Sequence, residues 1–276
     1  MDRIRLIASD MDATLLDEQS QLPADFEETI HALAELGIRF APASGRPLYT
    51  LEAMFPTLQD ELVFIGDNGG AIRWKGQNLF TSEMSPEGWR ALNRLTREQG
   101  DIAVLCGLES AYVERPFAIH DAVLRHFYTK IEYVDRLEDV AAPADKFTIY
   151  LPQHNAQQAY DTVHASQRSI YSVAVAGECW VDIMNPGVHK GAALQTLGQL
   201  WGLPSESMMA FGDTYNDAEM LRTAKYGFLM ENGSEPLRQK VPFLAPSNRE
   251  AGVMQVLHRV LAQNGCVCPE DFVPAH

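Results

Sequence analysis

Ile4-Arg5-Leu6-Ile7-Ala8-Ser9-Asp10-Met11-Asp12 is an apolar run that stops abruptly in two carboxylates one residue apart. A strand buried on both faces reads as a continuous apolar run, so Ile4 to Ser9 predicts a buried parallel strand. Downstream, Pro23 opens a helix whose apolar positions Phe26, Ile30, Leu33, Ala34 and Leu36 recur at helical spacing, and Gly37 closes it. Ile38 to Ala43 predicts a second strand, Leu48 to Phe55 a short helix and Glu61 to Gly66 a third strand. The order β-α-β-α-β is that of an α/β protein with a doubly wound parallel sheet.

The pattern then changes. Ala71–Trp74 and Asn78–Thr81 flank Lys75-Gly76-Gln77 and predict a hairpin. Helices near Pro86, Asp121–Tyr128 and Ala156–Ser166 then mix with strands near Ile102–Leu105, Ala111–Glu114, Lys146–Leu151 and Tyr171–Ile183. From Lys190 the first regime returns: helix Ala192–Trp201, strand Met208–Phe211 ending again in acids, helix Ala218–Thr223, strand Tyr226–Met230 and a closing helix Ala251–Gln263. At roughly 150 residues per domain, 276 residues allow one large or two modest domains. The expected organisation is one core built from residues 1–84 and 184–276, with an α+β domain of residues 85–183 inserted into it.

Charge narrows the partners. Lys and Arg number 22 against 37 Asp and Glu, a formal charge of −15, and no basic run breaks that balance. Such a polyanion repels nucleic acid and anionic membranes, so neither is an expected partner. No apolar stretch approaches the ~18 residues of a membrane span, and the first dozen residues do not form a signal peptide. Four scattered cysteines do not make a disulfide framework, and Cys266-Val-Cys268 reads as a solvated tail with two free thiols. The chain reads as cytosolic, and nothing in it specifies an oligomeric state.

Two predicted central strands end in acids: Asp10-Met11-Asp12, and Asp213-Thr214-Tyr215-Asn216-Asp217 after Phe211-Gly212. Ligands of open α/β sheets bind outside the carboxyl ends of the strands, which is where these acids fall. Clustered carboxylates repel one another in a partly buried cleft, and a divalent cation resolves the conflict. A donor set of oxygens alone suits Mg²⁺ rather than Zn²⁺. A third strand ends in Ala43-Ser44-Gly45-Arg46, a hydroxyl and a glycine amide that can cradle an anion, and Lys190 adds a positive charge at a helix start. Each piece alone has an ordinary reading as a solvated turn or helix start. Their order and shared position at strand ends point to metal-assisted phosphoryl transfer, in which a carboxylate can be the nucleophile.

With these residues in place, the chain resembles the haloacid dehalogenase-like (HAD) hydrolases, and more narrowly the Cof-type phosphatases with a type IIB α/β cap. Asp10-Met11-Asp12-Ala13-Thr14-Leu15-Leu16 resembles the first motif and Ala43-Ser44-Gly45-Arg46 the second. Lys190-Gly191 resembles the third and Gly212-Asp213-Thr214-Tyr215-Asn216-Asp217 the fourth, while Asp67-Asn68-Gly69-Gly70-Ala71 resembles an Asn-Gly-Ala element of the subfamily. The resemblance implies a Rossmann-like core, an inserted cap that selects substrate, and hydrolysis of small phosphomonoesters such as sugar phosphates. It implies that Asp10 attacks phosphorus, and that Asp12 protonates the leaving oxygen and then activates water. Ser44 and the Met11 and Gly45 amides would hold the phosphoryl oxygens, Lys190 would neutralise charge and Asn216 would contact phosphate. Asp10, Asp213 and the Asp12 carbonyl would hold Mg²⁺, with Asp217 behind them. The alternatives are a phosphotransferase or mutase on the same core, or a silent phosphometabolite sensor.

One position departs from the family pattern: Ala13 stands where glycine is usual. A positive φ there would cost alanine about 1 kcal/mol, and a negative one almost nothing. In the insert, Glu114, Arg115, His120, Lys130 and Lys146 are candidates for contacting the leaving group. Arg46 is either an anion-recruiting group or a solvated one. Trp74, Trp89, Trp180 and Trp201 read as core or interface residues, and His189 as structural.

Overall fold

The computed structural model describes all 276 residues. Strand Leu6–Asp10 lies at the centre of a nine-stranded sheet, flanked in parallel by Arg39–Ala43 on one side and Met208–Gly212 on the other. Val63–Gly66 continues one wing in parallel, and Tyr226–Met230 and Phe243–Ala245 continue the other. The chain therefore leaves the first strand toward one wing and later returns to build the other, which creates a topological switch point at Asp10. Alternation along the strands fills both faces. Ile7, Phe40, Phe64, Met209 and Phe211 pack under helices Phe26–Glu35 and Gly252–Ala262. Leu6, Ala8, Ala41, Val63 and Ala210 turn to the opposite side, against helices Lys190–Trp201 and Ala218–Thr223. The expected hairpin forms, Ala71–Trp74 with Gln77–Thr81, and extends the core sheet as an antiparallel edge. Its turn uses Lys75 and Gly76 at φ of 50° and 71°, as a tight two-residue turn requires.

A second, six-stranded sheet takes all its strands from residues 102–184. One face, carrying Leu105, Phe147, Ile149, Val181 and Ile183, packs under helices Pro86–Gln99 and Ala156–Asp161. The other face, carrying Lys146, Thr148, Tyr150, Trp180 and Asp182, turns toward the core sheet's strand ends.

The structure corrects four local readings. The helix expected over 156–166 stops at Asp161, where the Thr162 backbone leaves helical geometry at φ −114°, ψ −84°. A 3₁₀ segment, Ala165–Ser169, follows. Strands Ile131–Val134 and Phe243–Ala245 were missed: Glu132 interrupts the apolar residues of the first, and the second is only three residues long. The Cys266-Val-Cys268 segment is no solvated tail: Cys266–Val267 pairs with Asp2–Arg3, Val267 is fully buried, and Phe272 packs on Phe228 and Phe243. All four cysteines are free thiols. No helix is long and apolar enough to cross a membrane.

Candidate active site

Register brings the motifs together. Asp10 lies opposite Ala43, and Ser9 opposite Phe211, so Asp10, Ser44 and Asp213 leave the sheet at one edge. The backbone builds the cradle beside them: the Ser44 amide donates to the Ile65 carbonyl, the Asn68 amide to the Ser44 carbonyl, and the Arg46 amide to the Ser44 hydroxyl at 3.1 Å. Lys190 enters from the start of its helix, whose N-terminus His189 caps by accepting from the Ala192 amide. The structural reading of His189 is therefore correct.

Lys190 is fully buried and donates to Asp10 Oδ1 at 2.5 Å and to Asp217 Oδ1 at 2.7 Å. The second Asp217 oxygen accepts from the Asp213 and Thr214 amides at 3.1 and 3.2 Å. Gly212 makes this turn possible, since a Cβ there would lie 2.4 Å from the Asp217 side chain. Both Asp217 oxygens are thus engaged, as suits a residue that orients the cluster from behind. Asp10, Asp213 and Asp217 bring carboxylate oxygens within 4.8 Å of one another, all buried. Thr14 donates to Asp213 Oδ1 at 3.3 Å.

Three carboxyls face one ammonium. Burial, reinforced by the Asp10 and Asp217 charges, pushes Asp213 up to about 8. Burial and the Asp10 charge push Asp217 up to about 6, against the pull of Lys190. Burial alone would lower Lys190, but Asp10 and Asp217 hold its ammonium above the ordinary value. A buried acidic cluster of oxygen donors with one carboxyl held neutral has the chemistry to accept a hard divalent cation in place of a proton.

Asp12 stands apart from this cluster. Its side chain is 56% exposed and accepts from Arg46 at 2.8 and 3.1 Å. Arg46 is therefore paired and mostly buried, not a solvated helix-start residue. The Met11 side chain is buried in the core, leaving only its backbone available to a ligand. Asn216 lines the cavity, its Oδ1 accepting from the Thr214 hydroxyl at 2.7 Å. Ala13 adopts φ 59°, ψ 8°, so the positive-φ alternative holds. Replacing Ala13 with glycine is expected to raise stability by about 1 kcal/mol, read as a higher urea midpoint at unchanged slope.

The site opens into a cavity of about 560 Å³ between the two sheets. Of the five candidates in the insert only Lys146 lines it. The buried Glu114 accepts from the Leu137 amide, Arg115 pairs with Asp135, His120 packs edge-on against Tyr150, and Lys130 lies over the Tyr49 ring. Lys146 donates to the Gly45 carbonyl at 2.5 Å and lies 3.1 Å from Asp67 and 3.6 Å from Asp182. Asp182 also accepts from Asn68 at 2.9 Å and Thr148 at 2.7 Å, which ties the second sheet to the phosphate-side loop. Sequence reasoning missed Asp182, Phe127 and Trp180 as cavity residues. For Asp182 and Trp180 the available signal was period two: Trp180 and Asp182 alternate with the apolar Val181 and Ile183, as Lys146 and Thr148 alternate with Phe147 and Ile149 in the paired strand.

A model of the haloacid dehalogenase-like hydrolase family matches residues 7–257. A 5-amino-6-(5-phospho-D-ribitylamino)uracil phosphatase of Escherichia coli is 33% identical, over 94% of this chain and 96% of its own. An HMP-PP phosphatase of Cronobacter sakazakii is 31% identical, over 87% of this chain and 89% of its own. The solved haloacid dehalogenase-like hydrolase of Bacteroides thetaiotaomicron, 23% identical, shares the fold with a TM-score of 0.81, over 94% of this chain and all of that one. Family match, near full-length relatives and shared fold agree: the chain belongs to the haloacid dehalogenase-like hydrolases, and it is a phosphatase of that family.

Proposed function

We propose that the protein is a Mg²⁺-dependent phosphatase that hydrolyses small phosphomonoesters, sugar phosphates or related phosphometabolites, through an aspartyl-phosphate. The observation that carries this reading is the buried Lys190 bridging Asp10 and Asp217 beside Asp213. Asp10, Asp213 and the Asp12 main-chain carbonyl would hold the cation, which would supply charge neutralisation for the phosphoryl group. Ser44 and the Gly45 and Met11 amides orient the phosphoryl oxygens, with Asn216 at their rim. An Asp10 oxygen forms a bond to phosphorus as the ester oxygen departs, taking a proton from Asp12. Asp12 then accepts a proton from water, whose oxygen attacks phosphorus and releases inorganic phosphate with Asp10 regenerated. Asp12 pairs with Arg46 and lines the same cavity as Asp10. Residues 85–183 act as the cap that chooses the leaving group, and four free thiols suit the cytosol.

The test is phosphate release from a panel of phosphorylated metabolites, with Mg²⁺ and with EDTA. The panel includes 5-amino-6-(5-phospho-D-ribitylamino)uracil, the substrate in the name of the Escherichia coli relative. Release that EDTA stops is the expected result. Release that survives complete chelation overturns the metal dependence, and transfer to a second hydroxyl without free phosphate overturns hydrolysis.

Metal binding carries its own pH signature. Asp213 is raised from 3.8 to about 8 in the folded protein. A raised carboxyl supports the metal-free fold fully below its unfolded value, and that support is lost as pH rises through about 8. Mg²⁺ takes the place of that proton, so the Tm increase it causes is expected to be larger near pH ~8.5 than near pH ~6. An increment that is flat or falls across that window contradicts the assignment.

A further inference from the structure

We infer that Lys146, supplied by the inserted domain, is a positioning residue for the reaction: through the Gly45–Arg46 peptide it aims and polarises the Ser44 hydroxyl. The inference rests on the phosphatase reading and concerns the phosphoryl group alone, whatever the leaving group.

Lys146 is 2% exposed and has two carboxylates beside it, yet neither is its shortest contact. Asp67 Oδ1 lies 3.1 Å from Nζ and Asp182 Oδ2 3.6 Å, while the Gly45 carbonyl accepts from it at 2.5 Å. Burial alone would lower the pKa of this ammonium, but Asp182 and Asp67 hold it above its ordinary value, so it stays charged. The carboxylates preserve the charge and the carbonyl receives it. A charged donor makes a bond about twice as strong as a neutral one.

That carbonyl belongs to a planar peptide whose other end is the Arg46 amide. Holding the oxygen fixes the direction of the N–H, which donates to the Ser44 hydroxyl oxygen at 3.1 Å. Hydrogen bonds in series polarise one another, so the ammonium strengthens the Arg46 amide as a donor. A serine hydroxyl has two lone pairs and one hydrogen. With the Arg46 amide on one lone pair, the hydrogen is left to turn into the cavity that Ser44 lines, toward a phosphoryl oxygen.

The peptide is also clamped from a second side. A Cβ on residue 45 would lie 3.3 Å from the Asn68 side chain, so glycine is what allows that close approach. Asn68 donates at 2.9 Å to Asp182, the carboxylate beside Lys146, and its own amide donates to the Ser44 carbonyl. Lys146 and Asp182 come from paired strands of the inserted sheet, and Asn68 from the core. The inserted domain therefore reaches the phosphate cradle through the backbone, apart from any contact it makes with a leaving group.

The test is a double-mutant cycle on Ser44 and Lys146. It reads kcat and KM, with Mg²⁺, for acetyl phosphate and phenyl phosphate, whose leaving groups differ in size. Ser44→Ala is expected to lower kcat by about a hundredfold, as loss of one preorganised donor does. Lys146→Met should lower kcat by about tenfold or more, by the same factor for both compounds. In the Ser44→Ala background the same change should cost less than about twofold, because the group it acts through is already gone. Lys146→Met leaves Asp67 without its cation. Should that variant fail to fold, Lys146→Met/Asp67→Asn removes the pair together and is expected to show the same loss and the same lack of additivity. Losses that multiply overturn the inference, as does an unchanged kcat in the Lys146 variant. A loss confined to phenyl phosphate also overturns it, by making Lys146 a leaving-group contact. Absence of phosphate release from both compounds in the wild type overturns the phosphatase reading itself and this inference with it.

Discussion

Asp10→Asn is expected to lower phosphate release by about four orders of magnitude or more while leaving the protein folded. Asparagine keeps the size of the side chain and an oxygen that can accept from Lys190, but an amide is not a nucleophile toward phosphorus. The variant also removes one of three buried carboxylates facing a single ammonium. Its metal-free form should therefore melt no lower than the wild type, and Asp213 should titrate closer to the ordinary carboxylate range, because the Asp10 charge is among the causes that raise it. Rapid acid quench should trap acid-stable, hydroxylamine-labile phosphate on the wild type and none on the variant. Retained turnover, or labelling of the variant, would remove Asp10 from the nucleophile's role.

Lys190→Met is expected to damage both stability and rate. The ammonium is fully buried and contacts Asp10 and Asp217 at 2.5 and 2.7 Å. Methionine preserves the chain's length and leaves those carboxylates facing each other with no cation. Breaking a buried pair on one side costs about 3–5 kcal/mol, because the remaining charge stays desolvated. The deficit should shrink as pH falls, because Asp217, freed of the Lys190 charge that lowers it, takes a proton more readily than in the wild type, and shrink again when Mg²⁺ is added at neutral pH. Urea unfolding at about pH 5 and about pH 7.5, with and without Mg²⁺, reads both effects. A variant as stable as the wild type at neutral pH without metal would mean that Lys190 is not the electrostatic centre of the site.

The core was legible because its strands are buried on both faces. Such strands must be apolar throughout, so the shift from Leu6-Ile7-Ala8 to Asp10 and Asp12, and from Phe211 to Asp213, marks the strand ends in the sequence itself. The catalytic candidates sit at those ends and were found with them. Strand Phe243–Ala245 has three residues and draws its stability from its neighbours in the sheet, so no local pattern announces it. Cys266–Val267 looks like a tail because its partner strand, Asp2–Arg3, lies at the other end of the chain. Ala13 could be flagged from sequence as a departure, but only the backbone, at φ 59°, shows which alternative holds.

The sequence by itself determined the doubly wound core, the acids at its strand ends, Ser44, Lys190 and the family to which they point. These are properties of single strands and short turns, where side-chain type and local backbone need come from the same few residues. Tertiary structure decided the rest: that Asp12 turns away from the acidic cluster to Arg46, that Lys146 reaches the Gly45 carbonyl, and that Trp180 and Phe127 line one cavity with Asp10. Each of those contacts joins residues more than thirty positions apart. Distance in sequence carries no record of such a pairing, because it is fixed by how two sheets pack and by which buried charges must find partners when they do.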